Sequence, residues 1–317
     1  MKWLSKQITK RDVQIVLGVL WILDGALQLQ RAMFTSDFAN QVIAPAAQGQ
    51  PGFVRWATDM TVRVILISPA QINALFAIAQ LAIGILMLWK QTVRWGLLGS
   101  IAWGLGVWYA GEGLGGLFSG HAMILNGAPG AALLYAIIAL GVWPTKDEDS
   151  AKAPAAWLAV AWAVLWVGGA IYQLLPGQNS IANLTDVVSG VASDAPSSLA
   201  WLANRALDSL NAIGHTAGSG FWFIVLLALV QATVGLGGLA IGVTRRLAIG
   251  VGALLSLVFW TVGQSLGAYY SGLATDPNSA PLFILLGLAV LESGPLWTKA
   301  AKPPVTPPSK KALKVSA

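Results

Sequence analysis

The sequence predicts an all-α transmembrane protein with eight spans, arranged as two parallel tandem repeats of four helices. Its composition is the first observation: 56% of the 317 residues are apolar, 10% are charged, and mean hydropathy is +0.67. A soluble domain carries about 25% charged residues, so this composition excludes a soluble enzyme, a disordered protein and a nucleic-acid-binding protein. The recurrence of long apolar segments and the similarity of the two halves are the second and third observations.

Apolar segments close to the roughly 20 residues that cross a bilayer define the spans. No small-residue cleavage site follows the charged N-terminus, so the first apolar segment is expected to be retained. The 15 Trp and 35 Gly suit such a bundle, with Trp at the interfaces and Gly where helices touch. The predicted spans are 13–30, 70–89, 95–113, 128–143, 155–175, 220–242, 247–267 and 281–298.

The distribution of positive charge predicts the orientation. Fifteen of the 19 Lys and Arg fall on the side of the two termini, and the other four are Arg31, Arg55, Arg63 and Arg205. By the positive-inside rule both termini are cytoplasmic, in a bacterial inner (plasma) membrane. The net charge of +6 is therefore a topology signal, and no nucleic-acid partner is expected. The Pro- and Lys-rich tail, residues 301–317, is predicted to be disordered and to meet the lipid bilayer.

Matching residues predict an internal duplication, with one repeat over 1–150 and a second over 151–300. Each half has an even number of spans, so the repeats are parallel. In the first spans, Trp21, Gln28 and Leu29 match Trp166, Gln173 and Leu174, and in the second spans Gln80 and Gly84 match Gln231 and Gly235. The longest block matches Trp108, Gly111, Glu112, Leu114 and Gly115 with Trp260, Gly263, Gln264, Leu266 and Gly267, and continues as Asn126/Asn278 and Pro129/Pro281.

The first outer loop of each half is predicted to contain amphipathic interfacial helices. Apolar residues recur at helical spacing from Phe53 to Val64 and from Leu199 to Leu210. Ser68-Pro69 is expected to end the first of these helices, because the residue before Pro disfavours helix. Gly218 and Gly220 mark the corresponding break in the second half.

Polar residues inside the spans are the candidate ligand- or proton-binding site, because ionisable groups are expensive in a membrane. Asp24, Gln28, Gln80 and Glu112 gather in the outer half of the first repeat, and Asn126 lies in the adjoining loop. They predict a polar cavity that opens outward and binds a proton, a metal or a polar head group. Alternatively, the Gln side chains join helices at about 0.6 kcal/mol each, and Glu112 meets interfacial water or pairs with Arg55 or Arg63.

The second half lacks both charges of this candidate site. Gly169 stands where Asp24 stands, and Gln264 stands where Glu112 stands. The acidic site is therefore predicted to belong to the first repeat alone. The structural equivalents in the second repeat are Gln173, Gln231, Gln264 and Asn278.

Metal and cofactor sites have little support in the sequence. His121 and Met123 are weak candidates for an outer metal site beside Glu112. The chain has no Cys, which excludes cysteine-ligated iron–sulfur clusters and haem c. A quinone needs only an apolar groove with Trp and one carboxylate or Gln, so it stays a candidate cofactor.

The pattern Leu17-Gly18-x2-Trp21-x3-Gly25-x2-Gln28-Leu29 resembles the first span of the DoxX/DoxD-like bacterial membrane proteins. The resemblance implies a four-helix plan for each half and an association with thiosulfate:quinone oxidoreduction and related redox assemblies. It carries no catalytic residue into this chain. The block W-x2-G-[EQ]-x-L-G is also similar to uncharacterised, chiefly actinobacterial, membrane proteins with a duplicated layout.

Three functions follow from these features. The resemblance implies an accessory or anchor subunit of a quinone-linked or envelope redox complex, with a membrane partner subunit. The tandem repeat and the intramembrane carboxylates favour a small-solute or ion transporter or channel with an outer acidic cavity. The lack of any sharp motif favours a structural or assembly factor without a ligand. On none of these is the chain expected to be an enzyme by itself.

Overall fold

A computed structural model describes residues 8–145, 153–216 and 218–296. Within these ranges all regular structure is helical, as the composition predicts. The boundary predicted at residue 150 and the tail from residue 301 lie outside the described residues. The helices are α1 (Lys10–Leu27), α2 (Gly52–Ile67), α3 (Pro69–Leu88), α4 (Val93–Ala110), α5 (Ala131–Gly141), α6 (Leu158–Leu174), α7 (Ile181–Asp194), α8 (Ser197–Gly214), α9 (Ser219–Gly237), α10 (Gly242–Val262) and α11 (Ser279–Glu292).

Three helices are long and apolar enough to cross a membrane: α3, α9, and α10 with the turns that continue it to Ser271. Every other predicted span also contains a helix, and the two shortest of these helices lie in the predictions 128–143 and 281–298. Helix α5 has 11 residues and α11 has 14. At 1.5 Å per residue neither reaches the roughly 30 Å of a hydrocarbon core. The count of eight spans stays a prediction.

Helices α1 and α3 pack antiparallel, as do α6 and α9, and small residues allow their backbones to approach. Helix α1 lies against α3, where a Cβ on Gly84 would stand 2.5 Å from the Gly18 carbonyl oxygen. Helix α6 lies against α9 in the same way, and a Cβ on Gly235 would stand 3.0 Å from the Trp166 Cβ. These glycines are therefore packing residues, as small residues in membrane bundles commonly are.

The two short helices lie at the centre of the bundle, where α11 packs against both α5 and α6. Both are buried on most of their faces and are apolar all round, as expected for a helix surrounded by protein. Beside them the rings of Trp162 and Trp166 lie 5.4 Å apart, and those of Trp166 and Phe283 lie 5.5 Å apart. This aromatic group is the core of the second half.

The predicted helices of the first outer loops are present as α2 and α8, and the second loop also contains α7, which was not predicted. On α2 the apolar residues Phe53 and Trp56 stay 55% and 63% exposed, as expected for a helix that meets lipid at an interface. Helix α2 ends at Ile67 and α3 begins at Pro69, so the Ser68-Pro69 break is confirmed. Gly218, with a φ of +76°, precedes α9 as the second break.

Irregular backbone follows α4 and α10 at one end of the bundle, which we call the loop end. Two segments here, 122–127 and 273–278, reach from one half of the chain into the other, and we call them the crossing loops. Ile124 of the first packs against Gly169 on α6. In return, the Gln30 amide donates to the Ala274 carbonyl of the second, at 2.9 Å. Such backbone is tolerated at membrane depth where protein surrounds it.

Hydrogen bonds correct one predicted correspondence between the halves. The Trp108 indole donates to the Pro129 carbonyl at 2.7 Å, and the Trp260 indole donates to the Pro277 carbonyl at 2.7 Å. In the predicted alignment of the halves, Pro129 therefore pairs with Pro277 and not with Pro281. The second loop is four residues shorter, so Asn278 takes the position of Gly130 and not that of Asn126. Both residues have positive φ, +103° at Gly130 and +67° at Asn278.

Candidate functional site

A cavity of about 480 Å³ lies at the loop end of the first half. Helices α1, α3, α4 and α5 bound it, together with the short helical turns of 38–47 and the second crossing loop. The structure brings four sequence-predicted residues together in its lining: Asp24, Gln28, Gln80 and Glu112. Its size falls within the range of roughly 300–1,000 Å³ typical of small-molecule sites.

Asp24 lies in the last turns of α1, where its side chain is 2% exposed. The Tyr135 hydroxyl on α5 lies beside this carboxylate, and the Tyr135 ring contacts the Trp21 ring at 4.4 Å between centroids. Neither Asp24 Oδ1 nor the Tyr135 hydroxyl reaches hydrogen-bond geometry with another described residue. A buried carboxylate and a buried hydroxyl thus share one corner of the cavity with hydrogen-bonding capacity to spare.

Glu112 follows the end of α4 and connects it with the start of α5. Its Oε1 accepts a hydrogen bond from the Ala132 amide at 3.0 Å, in the first turn of α5, where an anion is favoured. Its Oε2 has no partner among the described residues. Within that part of the chain no ion pair joins Glu112 to Arg55 or Arg63, so the predicted surface pairing is wrong.

The glutamines of the two halves differ in what they contact. Gln173 and Gln231 hydrogen-bond to each other across α6 and α9 at 2.7 Å, which is the role of interhelical contact residues. Their counterparts Gln28 and Gln80 are 2% and 7% exposed and line the cavity. The amide oxygens of both lack a partner among the described residues. In the first half these side chains therefore present free acceptors to the cavity.

Asp276 is a third carboxylate of the cavity, and sequence reasoning missed it. It lies on the second crossing loop, where the Asn278 amide donates to one carboxylate oxygen at 2.7 Å and the Thr275 hydroxyl to the other at 2.6 Å. Burial raises the pKa of Asp276.

Two features of the sequence pointed towards Asp276. It is one of only 13 acidic residues, and it lies at the predicted outer side between two spans. Its place in the first half's cavity depends on the crossing of the loops, however, and neither spacing nor composition reveals that crossing.

The lining is acidic on one part and aromatic on another. Among the described lining residues there are three carboxylates and no Lys, Arg or His. The rings of Phe76 and Trp103 meet edge to face at 5.2 Å, and those of Phe38 and Phe76 at 6.2 Å. The Trp103 indole nitrogen has no partner among the described residues. Three carboxyl groups without a basic neighbour in the described lining, beside aromatic rings, are the chief electrostatic feature of the cavity.

In the second half, the region that the predicted alignment matches to this cavity is filled at Gly169, which borders only a smaller, mostly apolar cavity of about 240 Å³. A Cβ on Gly169 would stand 2.3 Å from Ile124 Cδ1, so Ile124 occupies the space above the position that matches Asp24. The Gln264 side chain donates to the Ile124 carbonyl at 3.0 Å and accepts from the Ala280 amide at 3.1 Å. Its carboxamide is thereby fully engaged, whereas one oxygen of Glu112 is not.

The remaining predicted residues lie away from the cavity. The Asn126 side chain accepts from the Met123 amide at 3.1 Å and donates to the His121 carbonyl at 2.8 Å, so it shapes the first crossing loop. The Asn278 side chain accepts from the Ser279 amide at the start of α11. His121 is exposed, and Met123 borders a separate cavity of about 240 Å³ that is mostly apolar. No cluster of three or more His, Asp or Glu suited to a metal occurs in the described ranges.

Comparison with known proteins finds no matching family model, no similar curated protein and no similar solved structure. The resemblance to the DoxX/DoxD-like proteins therefore stays a prediction from the sequence pattern.

Proposed function

We propose that the chain is an integral membrane protein that binds a small polar solute in the cavity at the loop end. One observation carries this proposal: six buried polar atoms without a hydrogen-bond partner among the described residues line one cavity of about 480 Å³. A buried polar atom without a partner costs free energy, about 1–3 kcal/mol for a typical group. A polar ligand that hydrogen-bonds to these groups recovers that free energy. If the cavity were only a gap in the packing, the cost would stay uncompensated.

The donor and acceptor balance favours a solute over a quinone. The free acceptors are oxygens of Asp24, Gln28, Gln80 and Glu112, and the free donor is the Trp103 indole, since the Tyr135 hydroxyl faces the Asp24 carboxylate. Quinone carbonyls only accept hydrogen bonds, so they would leave the four acceptor oxygens unpaired. A solute rich in N–H or O–H groups complements them. This chemistry supports the solute-binding interpretation above the redox-subunit and ligand-free assembly interpretations.

We also propose that the halves are copies, with the active cavity in the first. Support comes from matched hydrogen bonds. The Trp108 and Trp260 indoles each donate to a Pro carbonyl, and Glu112 and Gln264 each accept from an amide in the first turn of the following helix. With the predicted orientation, the loop end faces the outer side of a bacterial inner membrane, and the cavity takes solute from there.

Native mass spectrometry of the full chain, extracted in a mild detergent, tests solute binding. We expect a small molecule to remain bound to the wild-type protein and to be lost from Glu112→Gln. This variant should fold, because Gln264 makes the same backbone hydrogen bond in the other half. Asp208→Asn is the control, because Asp208 is exposed in α8 and far from the lining. Equal ligand occupancy in wild type and Glu112→Gln, or a bare protein in both, would contradict the proposal.

A further inference from the structure

The charge and hydrogen-bonding pattern of the cavity narrow the class of solute, and this inference rests on the function proposed above. We propose that the cavity binds a protonated organic amine, an ammonium group with N–H donors attached to an apolar body. The ammonium lies among the carboxylates and amide oxygens, and the apolar body lies against the aromatic side chains.

Charge is the first step of the argument. Asp24, Glu112 and Asp276 come from three different parts of the chain and line one cavity. No described basic side chain neutralises them within the lining. Buried like charges oppose one another, and a cation placed between them relieves both the repulsion and the cost of burial. An anionic solute is excluded on the same ground.

Hydrogen bonding is the second step. Gln28 and Gln80 are neutral, more than nine-tenths buried, and aim unpartnered amide oxygens at the cavity. Together with the free oxygens of Asp24 and Glu112 they make four acceptors. A primary ammonium has three N–H donors and no acceptor, so it matches this set. A quaternary ammonium carries the charge but leaves the acceptors unpaired.

The apolar part of the lining is the third step. Phe38, Phe76 and Trp103 form a continuous edge-to-face series, and Trp21 lies on the opposite helix beside Tyr135. Aromatic rings bind an apolar group by burying its surface area, and they attract a nearby cation through their π faces. A bare metal ion would make no apolar contact with these aromatic rings. Among the described residues, the carboxylates also do not cluster as metal ligands.

Three probes that share one carbon skeleton test the inference by titration calorimetry on the full chain in detergent at neutral pH. They are phenethylammonium, its trimethylated quaternary form, and the neutral 2-phenylethanol. We expect phenethylammonium to bind most tightly. The quaternary form should bind several-fold more weakly because it has no N–H donors. The alcohol should bind more weakly by about tenfold or more because it carries no charge.

Variants assign the binding to the cavity. Glu112→Gln should weaken phenethylammonium binding about tenfold or more, Asp24→Asn should weaken it similarly, and Asp208→Asn should leave it unchanged. Since amines also partition into micelles, the difference between wild type and Glu112→Gln is the quantity that counts. Thermal unfolding of each variant confirms that it is folded.

The outcomes separate the two proposals. If the alcohol binds as tightly as the amine and both are lost in Glu112→Gln, the solute site stands and the cationic class is wrong. If the quaternary form binds as tightly as phenethylammonium, N–H recognition is wrong. If no probe binds to folded protein, the amine assignment is overturned, and the solute proposal is judged by its mass spectrometry.

Discussion

The three carboxylates of the cavity are each held by different local chemistry. Asp24 lies in helix α1, Glu112 accepts the Ala132 amide at the start of α5, and Asp276 is fixed by Thr275 and Asn278. Each is positioned by backbone or by a neighbour in sequence rather than by a basic partner. No described basic side chain of the lining therefore competes with a ligand for these carboxyl groups.

Gly130 provides the space for the Glu112 carboxylate. A Cβ at Gly130 would stand 2.1 Å from Glu112 Oε2, and its φ is +103°. We expect Gly130→Ala to cost about 1–3 kcal/mol of stability from backbone strain and to displace the carboxylate, so that amine binding falls. The matched control is Gly120→Ala, which has a similar φ of +83° but open space around the added Cβ. Calorimetric titration of both variants with phenethylammonium distinguishes them, and equal affinities would contradict this role for Gly130.

Asp276 should make stability depend on pH. Because burial raises its pKa, the folded state holds this proton more tightly than the unfolded state, and stability falls as pH rises above the ordinary carboxyl pKa of about 3.9. Asp24, Glu112, Tyr135 and Tyr269 are the other titratable groups around it.

Asp276→Asn removes this contribution while keeping an oxygen to accept the Asn278 amide. We expect the unfolding temperature of the variant, relative to wild type, to increase from about pH 4 to about pH 7. Thermal melts across that range measure it, with the exposed Asp208→Asn as control. A difference that stays constant with pH would rule out a titrating, buried Asp276.

At the scale of helices, the tightest contact is between α1 and α3. Gly84→Ala would push a Cβ to within 2.5 Å of the Gly18 carbonyl oxygen, and two backbones cannot yield as a side chain can. We expect this variant to lose about 1–3 kcal/mol. Gly106→Ala in α4, where an added Cβ meets nothing within 4 Å, should be neutral or stabilising. Thermal unfolding in detergent compares them, and similar melting temperatures would argue against the close approach.

Hydropathy and periodicity were sufficient to predict most of the helices, but they did not predict the backbone of the loop end. Helix α2 and its break at Ser68-Pro69 follow from local residue preferences, and so does the apolar segment of α3. The predicted span 128–143 proved to be a short helix because residues before Ala131 form irregular backbone with positive φ. That backbone is stabilised by contacts between distant parts of the chain, which local sequence signals do not report.

The cavity was predictable in part for the same reason. Asp24, Gln28, Gln80 and Glu112 stood out because polar residues are rare in apolar helices and because the second half lacks both carboxylates at the matching positions. Asp276 and Tyr135 did not, since the first reaches the cavity only through the crossing loop and the second reads as an ordinary aromatic of a buried helix.

At the scale of the whole molecule, the orientation remains to be measured. The chain has no Cys, so single cysteines can report the side of each link without background. Ser198 at the start of α8 and Gln91 between α3 and α4 are both exposed. We expect an impermeant maleimide to label Ser198→Cys in intact spheroplasts and to label Gln91→Cys only after lysis. Labelling of both from outside would overturn the predicted topology.

Through the crossing loops, each half of the chain covers part of the loop end of the other half. Thr275 and Asp276 of the second half complete the lining of the first half's cavity. Ile124 of the first half packs against Gly169 in the second half. A chain cut between the halves would therefore leave the first half without part of its cavity lining and the second half without the side chain that packs on Gly169. Reassembly of separately expressed halves would be the first condition for either to hold a solute.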